Sequence, residues 1–465
     1  MKSEERRRGR ERNARTKWQF AIAMKKVSYI IALLVCLPMS AQTYNLEQIL
    51  DSARQNNIAM RTAQHNIEAA QQQRKEAFTK YFPKVSAEGA WFNATKDMAE
   101  MTVNPSEMLS PQVAADLAQI LPASALAALA TPTSISMLKD GVLAGVTAVQ
   151  PVFAGGQIVN GNRLAKVGEE VSRLQLQLSE NEVEKNAEQY FWTLASLQEK
   201  MKTIQAAQEL LGDIHKDVDV AVRAGVAMPN DMLQVRLRQN EVESQKLKLQ
   251  NGLSVMRMLL AQYCGLRDTA FVIDYSVEDP MFNVQCSMFN VETLPEYQLL
   301  GKQVEAAKLQ RKMTIGQNLP TVGVGVGYNY HNLFDKGRSF GMVFATVNVP
   351  ISDWWGGSHA IKRKKIDVQK AEEQLEDNSE LLKIRMQNAW NGVQESYQQL
   401  LLAQRSIEQA KENLRLNRNY YQAGTSKMSD LLQAQLLYQQ TQDKRTDAFS
   451  DYQNKLLEYK HAAGQ

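Results

Sequence analysis

Two periodicities organise the chain, and each occurs twice. Residues 84–93 alternate with a period of two, with Val85, Ala87, Gly89 and Trp91 on one face and Ser86, Glu88 and Ala90 on the other. Residues 321–331 repeat the pattern more sharply, setting Val322, Val324, Val326, Tyr328 and Tyr330 against Gly323, Gly325, Gly327 and Asn329. Residues 142–153 and 340–351 supply returning strands, the second with Val343, Ala345, Val347 and Val349 opposite Met342, Phe344, Thr346 and Asn348. The pattern predicts four strands of roughly ten residues, the length that crosses a bilayer when tilted.

Beyond Gly155 and Gly156 the period lengthens to about 3.5 residues. Val183, Ala187, Tyr190, Leu194, Leu197, Met201, Ile204, Leu211, Val218 and Val222 form a heptad seam, broken at Gln208 and His215. Apart from Gly168, no Pro or Gly interrupts residues 163–211, so a helix of roughly 60 residues is predicted. The later half repeats this with Leu382, Met386, Ala389, Val393, Tyr397 and Leu400, then Ile407, Ala410 and Leu414. Each long helix ends at an Ala-Gly pair, where Gly225 and Gly424 suit a left-handed C-terminus. Each then returns through a partner, 231–264 or 430–460, with Asn230 and Ser429 as expected N-caps. Phe449, Tyr452, Leu456 and Tyr459 form the apolar stripe of the last helix.

The two halves also match residue by residue. Residues 67–91 align without gaps on 304–328, pairing Glu68 with Glu305, Gln73-Arg74-Lys75 with Gln310-Arg311-Lys312, and Pro83 with Pro320. Pro151 and Gly155-Gly156 pair with Pro350 and Gly356-Gly357, both glycine pairs being read as strand-to-helix turns. Ala224-Gly225 and Asp231 pair with Ala423-Gly424 and Asp430. Matched blocks in one order predict an internal duplication. The expected organisation is a leader over 1–41, a first repeat over 42–290 with a hairpin at about 157–264 and a joining segment at 265–290, and a second repeat over 291–465 with a hairpin at about 358–460. The insert at 94–140, Ala/Leu-rich over 119–130, and its short counterpart at 331–339 are expected to be extracellular loops. The fold class is therefore mainly α, with a membrane β part.

Charge alters this picture little once its position is noted. Residues 1–41 hold ten Lys or Arg and three Glu, and removing that +7 from the chain's +4 leaves −3. A nucleic-acid partner loses its electrostatic basis. From Met24 the segment reads as a secretory signal: Lys25 and Lys26, an apolar run from Tyr29 to Leu37, then Ser40 and Ala41 with cleavage expected after Ala41. Met24 is the expected start. Cys264 and Cys286 remain in the mature chain, either as a disulfide or as two free thiols. Reactive chemistry is sparse. His65, His215, His331, His359 and His461 are scattered without ligand spacing, so no metal, cofactor or catalytic residue is expected and the chain is not read as an enzyme. Gly323, Gly325 and Gly327 alternate along a strand instead of opening a helix, which excludes a nucleotide fingerprint. Met98, Met101 and Met108 are read as incidental loop methionines.

A bilayer tolerates no unpaired strand edge, and four strands cannot close a barrel alone. Identical copies must pool their strands; three copies give an open lumen, whereas two would give a barrel nearly filled by its own side chains. The duplicated strand pair between coiled-coil helices, the Pro-x-x-x-Gly-Gly turn and the run Tyr421-x-Ala-Gly-Thr-Ser-x-x-x-Asp430-Leu-Leu resemble the TolC-type outer-membrane efflux proteins. The resemblance implies a homotrimeric conduit in the outer membrane of a Gram-negative cell, extending into the periplasm. It implies partners: a periplasmic adaptor that contacts the helix turns at Gly225 and Gly424, an inner-membrane pump, and outer-membrane lipid. It also implies a periplasmic gate, with Asp231 and Tyr421 at matching positions, Ser426 where the family has Arg, and Lys427 beside it. Asp430 matches an acidic entrance ring, while Gln433 stands where a second ring would be. A plainer role for Asp231 and Asp430 is to favour the first turn of the returning helix. Two other classes fit the sequence less well. A periplasmic adaptor has a single hairpin and no repeated amphipathic strand pair; a filament leaves the strands and the secretory signal without purpose.

Overall fold

The computed structural model describes residues 43–464 except 97, 138, 277–289 and 333–336. Cys286 and the leader lie outside them. In chain order the elements are β1 (Thr43–Tyr44), α1 (Leu46–Asn56), α2 (Ile58–Thr79), β2 (Lys84–Asn93), β3 (Ala99–Val103), α3 (Pro111–Ile120), α4 (Ala123–Ala130), β4 (Thr133–Met137) and β5 (Asp140–Ala154). There follow α5 (Gln157–Arg223), α6 (Pro229–Cys264), β6 (Val272–Ile273), α7 (Pro295–Gln317), β7 (Thr321–Asn332), β8 (Arg338–Asn348), α8 (Asp353–Gln422) and α9 (Met428–Ala463). From α2 and from α7 the order is the same: helix, strand, strand, long helix, shorter helix, apart from the insert between β2 and β5. No described helix is long and apolar enough to cross a membrane.

The chain divides into two compact units. One comprises residues 59–181, 287–388 and 462–465 and contains a four-stranded sheet in the order β2-β5-β7-β8, antiparallel throughout. A bulge in β5 between Pro151 and Phe153 lies where proline has no N–H to give to the ladder. The insert is more than a loop: β3 and β4 pair as a hairpin that carries α3 and α4.

One sequence reading needs correction in this unit. Gly155 and Gly156 do turn the chain, with φ of 60° and 75°, but Gly356 and Gly357 lie inside α8. The physical reason is spacing. Gly155 follows Pro151 by four positions and Gly356 follows Pro350 by six, and a turn in which Ile351 N–H donates to Val349 O at 2.9 Å absorbs the difference. Each pair still meets a close neighbour. A Cβ at Gly155 would collide with the backbone of Gly316, and one at Gly357 with the Asn318 side chain.

The other unit comprises residues 1–58, 182–286 and 389–461, and its core is a seam between helices. On α5, Ile204, Ala207, Leu211, Ile214 and Val218 are buried, so the steps of three and four continue without a break. The gaps expected at Gln208 and His215 close because the seam shifts back by one residue to Ala207 and Ile214. These pack with Met232, Val235 and Val242 of α6, Leu414 of α8, and Met428, Leu431, Leu432 and Ala434 of α9. Near the far end of this unit Cys264 is buried and unpaired among the described residues, and burial pushes its thiol up to about 12.

Candidate functional site

The four-stranded sheet has two chemically distinct faces, and its register shows how they arise. Trp91 is paired with Val142, Val146 with Tyr328, and Val326 with Val343. Because side chains alternate, every residue aligned with these shares their face. That face carries Val85, Ala87, Trp91, Val146, Val322, Val324, Val326, Tyr328, Val343 and Val347, and it is exposed, with Val343 at 84%. The opposite face includes four adjacent cross-strand rows: Ala90, Leu143, His331 and Arg338; Glu88, Gly145, Asn329 and Phe340; Ser86, Thr147, Gly327 and Met342; Lys84, Val149, Gly325 and Phe344. Here aromatics and amides cover glycines. The Phe344 ring lies over Gly325, and the Asn329 side chain occupies the space where a Cβ at Gly145 would stand.

A cavity of about 560 Å³ opens on this second face, lined among others by Glu88, Leu143, Asn329, His331, Phe340 and Met342. The His331 ring meets Phe340 edge to face at 6.0 Å, and its Nδ1 is buried without a hydrogen-bond partner.

In the helical unit the two interhelical turns are built alike. Val226 N–H donates to Ala221 O and Gly225 N–H to Val222 O, both at 3.0 Å; Thr425 donates to Tyr420 O at 2.9 Å and Gly424 to Tyr421 O at 3.0 Å. These are Schellman pairs, and they need the left-handed glycines Gly225 (φ 73°) and Gly424 (φ 71°). The N-caps differ from expectation: α6 begins at Pro229 after Met228, and α9 begins at Met428. Asp231 Oδ2 accepts the Met228 N–H at 3.2 Å, and Asp430 Oδ2 accepts the Lys427 N–H at 3.3 Å and the Ser426 hydroxyl at 3.2 Å. Both carboxylates therefore already neutralise free donors at a helix start.

The turns bring some expected residues together. Tyr421 packs half-buried against the seam; burial raises its phenol's pKa, and the nearby Asp231 carboxylate raises it further. Ser426 and Asp430 are bonded to each other, while Lys427 is exposed. Two polar links that sequence patterning missed join these helices. Arg418 pairs with Asp217 at 3.6 Å. Arg238, only 7% exposed, donates to Gln435, Gln439 and Glu241 at 3.0, 2.9 and 2.8 Å. A charged residue inside a polar stretch of helix reads as solvated, so only its buried exposure distinguishes it.

Among known proteins, residues 300–465 match the family model described as "Outer membrane efflux protein". A search of curated protein sequences finds no match. Among solved structures, the fold is similar to the CmeC outer membrane channel of Campylobacter jejuni, with a TM-score of 0.71 at 15% identity over 90% of this chain and 85% of that one. It is similar to the outer membrane protein VceC of Vibrio cholerae, with a TM-score of 0.68 at 17% identity over 90% and 96%. It is also similar to CusC, described in terms of transmembrane channel formation, with a TM-score of 0.74 at 14% identity over 92% and 95%. The shared fold thus extends over both units.

Proposed function

We propose, from the match of residues 300–465 to the family model of outer membrane efflux proteins, that this chain is one protomer of an outer-membrane efflux channel. It works as a passive export duct and reaches into the periplasm. The carrying observation is the sheet: one face mainly apolar and exposed, interrupted by Gln150 and Ser339, the other polar and glycine-rich, and both outer strands, β2 and β8, unpaired on their far edges among the described residues. An exposed row of Val and Tyr suits lipid, and the glycine-rich row suits a lumen wall. Open edges in hydrocarbon are unaffordable, so β8 of one copy pairs with β2 of the next. Three copies of the four-stranded sheet close a twelve-stranded barrel with a water-filled interior.

The helical unit supplies the periplasmic part. Asp231 and Tyr421 form the gate contact between the two turns, with Ser426 and Lys427 beside it, and Asp430 supplies one carboxylate of an acidic entrance ring. The turns at Gly225 and Gly424 meet a periplasmic adaptor, which links the duct to an inner-membrane pump. An adaptor's own role is disfavoured by the paired strands and by the presence of two helical hairpins. No catalytic step enters this reading.

Detergent extraction followed by native sizing tests it. A trimer whose electrophoretic mobility changes on heating, and which forms conducting pores in planar bilayers, is the expected result. A soluble monomer that needs no detergent overturns it.

A further inference from the structure

Where the exposed apolar face of the sheet meets the helices, Gln150 donates from Nε2 to Tyr81 O at 3.0 Å, at the joint between α2 and β2. From this joint a groove of about 690 Å³ runs between α2 and α5. Arg74, Lys75, Phe78 and Tyr81 of α2 line it, and Val159, Arg163 and Lys166 of α5 face them, each set spaced by steps that keep it on one side of its helix. Asn162 ties the two helices together by donating to Ala77 O at 2.9 Å. Lys84 and Pro151, from the glycine-rich face, line a separate cavity along Gly161, Leu164 and Gly168, on the other side of α5. The groove therefore belongs to the apolar side of the sheet.

Its polarity is graded along the helices. Nearest the sheet stand Tyr81, Phe78 and Val159; the cations follow one to two turns farther away. Phe78, more than half exposed, meets Tyr81 and Phe82 edge to face at 5.6 and 5.5 Å. Glu169 is the only acid among the lining residues, and it is already saturated by Arg74 at 2.9 Å and Arg173 at 2.8 Å. Glu170 lies 3.7 Å from Lys166 but is held more closely by Lys302, at 2.6 Å. Lys75, Arg163 and Lys166 thus leave the groove positive. A sibling in the proposed ring brings α8 beside α2, and from Trp354 to Ile366 that helix has no acid and carries Lys362, Arg363, Lys364 and Lys365. Assembly adds positive charge here instead of cancelling it.

We infer that this groove binds an anionic phospholipid of the periplasmic leaflet, with the phosphate on Arg163, Lys166 and Lys75 and the acyl chains leaving past Phe78 and Tyr81 along the apolar sheet face. The inference rests on the duct reading, which sets that face in lipid, and it names the lipid class at one place on the wall. The gradient from aromatic to cationic surface matches the order of chain and headgroup in a lipid. Arg163 offers paired N–H donors to phosphate oxygens. A zwitterionic lipid gains less, because its own ammonium meets the same cations.

The test uses the full-length mature protein in detergent, stripped of lipid and titrated with palmitoyl-oleoyl phosphatidylglycerol or with the phosphatidylethanolamine of the same chains. Native mass spectrometry reads the lipid retained. Preferential retention of phosphatidylglycerol is expected, weakened about tenfold or more in the double variant Arg163→Gln, Lys166→Gln. The control pair Lys216→Gln, Lys411→Gln, which makes the same charge change at exposed sites in the helical unit, should bind as wild type does. Equal retention of the two lipids, retention unchanged in the groove variant, or an equal loss in the control overturns the site. Displacement of phosphatidylglycerol by inorganic phosphate at matching concentration overturns the lipid as its occupant. With trimer and conductance intact, any of these results sinks the site alone; a wild-type protein that is monomeric without detergent and forms no pore sinks the duct reading with it.

Discussion

Arg238 of α6 donates its Nε–H to Oε1 of Gln435 on α9 at 3.0 Å, so a buried guanidinium ties the returning helix of one hairpin to that of the other. Gln439 extends the link by accepting from Arg238 and donating back to Gln245 of α6 at 2.9 Å. The cation is held by neutral amides, with Glu241 at its exposed end. Truncation therefore leaves amide acceptors buried and unpaired at about 1–3 kcal/mol each. Arg238→Ala should lower the thermal midpoint measured by circular dichroism. The triple change Arg238→Met, Gln435→Leu, Gln439→Leu should recover most of it, because the polar set is then removed as a whole.

The proposed gate pairing of Asp231 with Tyr421 predicts a change in function with little loss of structure. Removing the charge beside the Tyr421 phenol, by Asp231→Ala, should raise single-channel conductance in planar bilayers, as should Tyr421→Phe. Asp231→Ala also removes the acceptor of the Met228 N–H, at a cost of about 1 kcal/mol. Conductance unchanged in both variants would remove the pair from the gate.

Asp443 of α9 gives a pH dependence. Burial pushes its carboxyl from 3.8 up to about 6; Lys200 opposes the shift and Asp447 adds to it. Its Oδ1 is buried without a hydrogen-bond partner. A carboxyl that holds its proton more tightly when folded contributes stability in full below about pH 4 and loses it as the pH rises through about 6. Asp443→Asn should therefore melt a few degrees higher than wild type at pH 7.5, with the gain gone by pH 4. Melting curves across that range check the sign.

The glycine pairs separate two roles that look alike in sequence. Gly155→Ala places a methyl group against the Gly316 backbone at a left-handed φ of 60° and should cost about 1–3 kcal/mol. Gly356→Ala adds a Cβ in open space within a helix and should stabilise by about 0.5–1 kcal/mol. Denaturant midpoints of the two variants should move in opposite directions.

What the sequence revealed follows from which forces act locally. The strands were legible because Val and Gly alternate from Val322 to Tyr330, and a period of two has few other causes. The left-handed turns at Gly225 and Gly424 were legible because the Ala-Gly pairs stop uninterrupted heptads. The shift of the seam to Ala207 and Ile214 was hidden, because small or neighbouring apolar residues offer two registers and only packing selects one. The N-caps at Met228 and Lys427 were hidden for a related reason: each carboxylate caps from three positions inside the helix, so Asp231 and Asp430 carry the signal and the cap residues carry none. The Arg238 network depends on residues about 200 positions apart in sequence, beyond the reach of any local pattern.

The bare flanks of β2 and β8 bear on how the protein is made. Among the described residues each flank leaves about half its strand's amide and carbonyl groups without a mate, and in the proposed barrel a sibling supplies it. A solitary copy thus has no way into the bilayer that does not strand polar backbone in oil. The proposed barrel thus makes entry and assembly a single event, whose rate rises steeply with the amount of newly exported chain. A defective copy able to offer one good flank would spoil the rings it joins, and so would be harmful in small amounts.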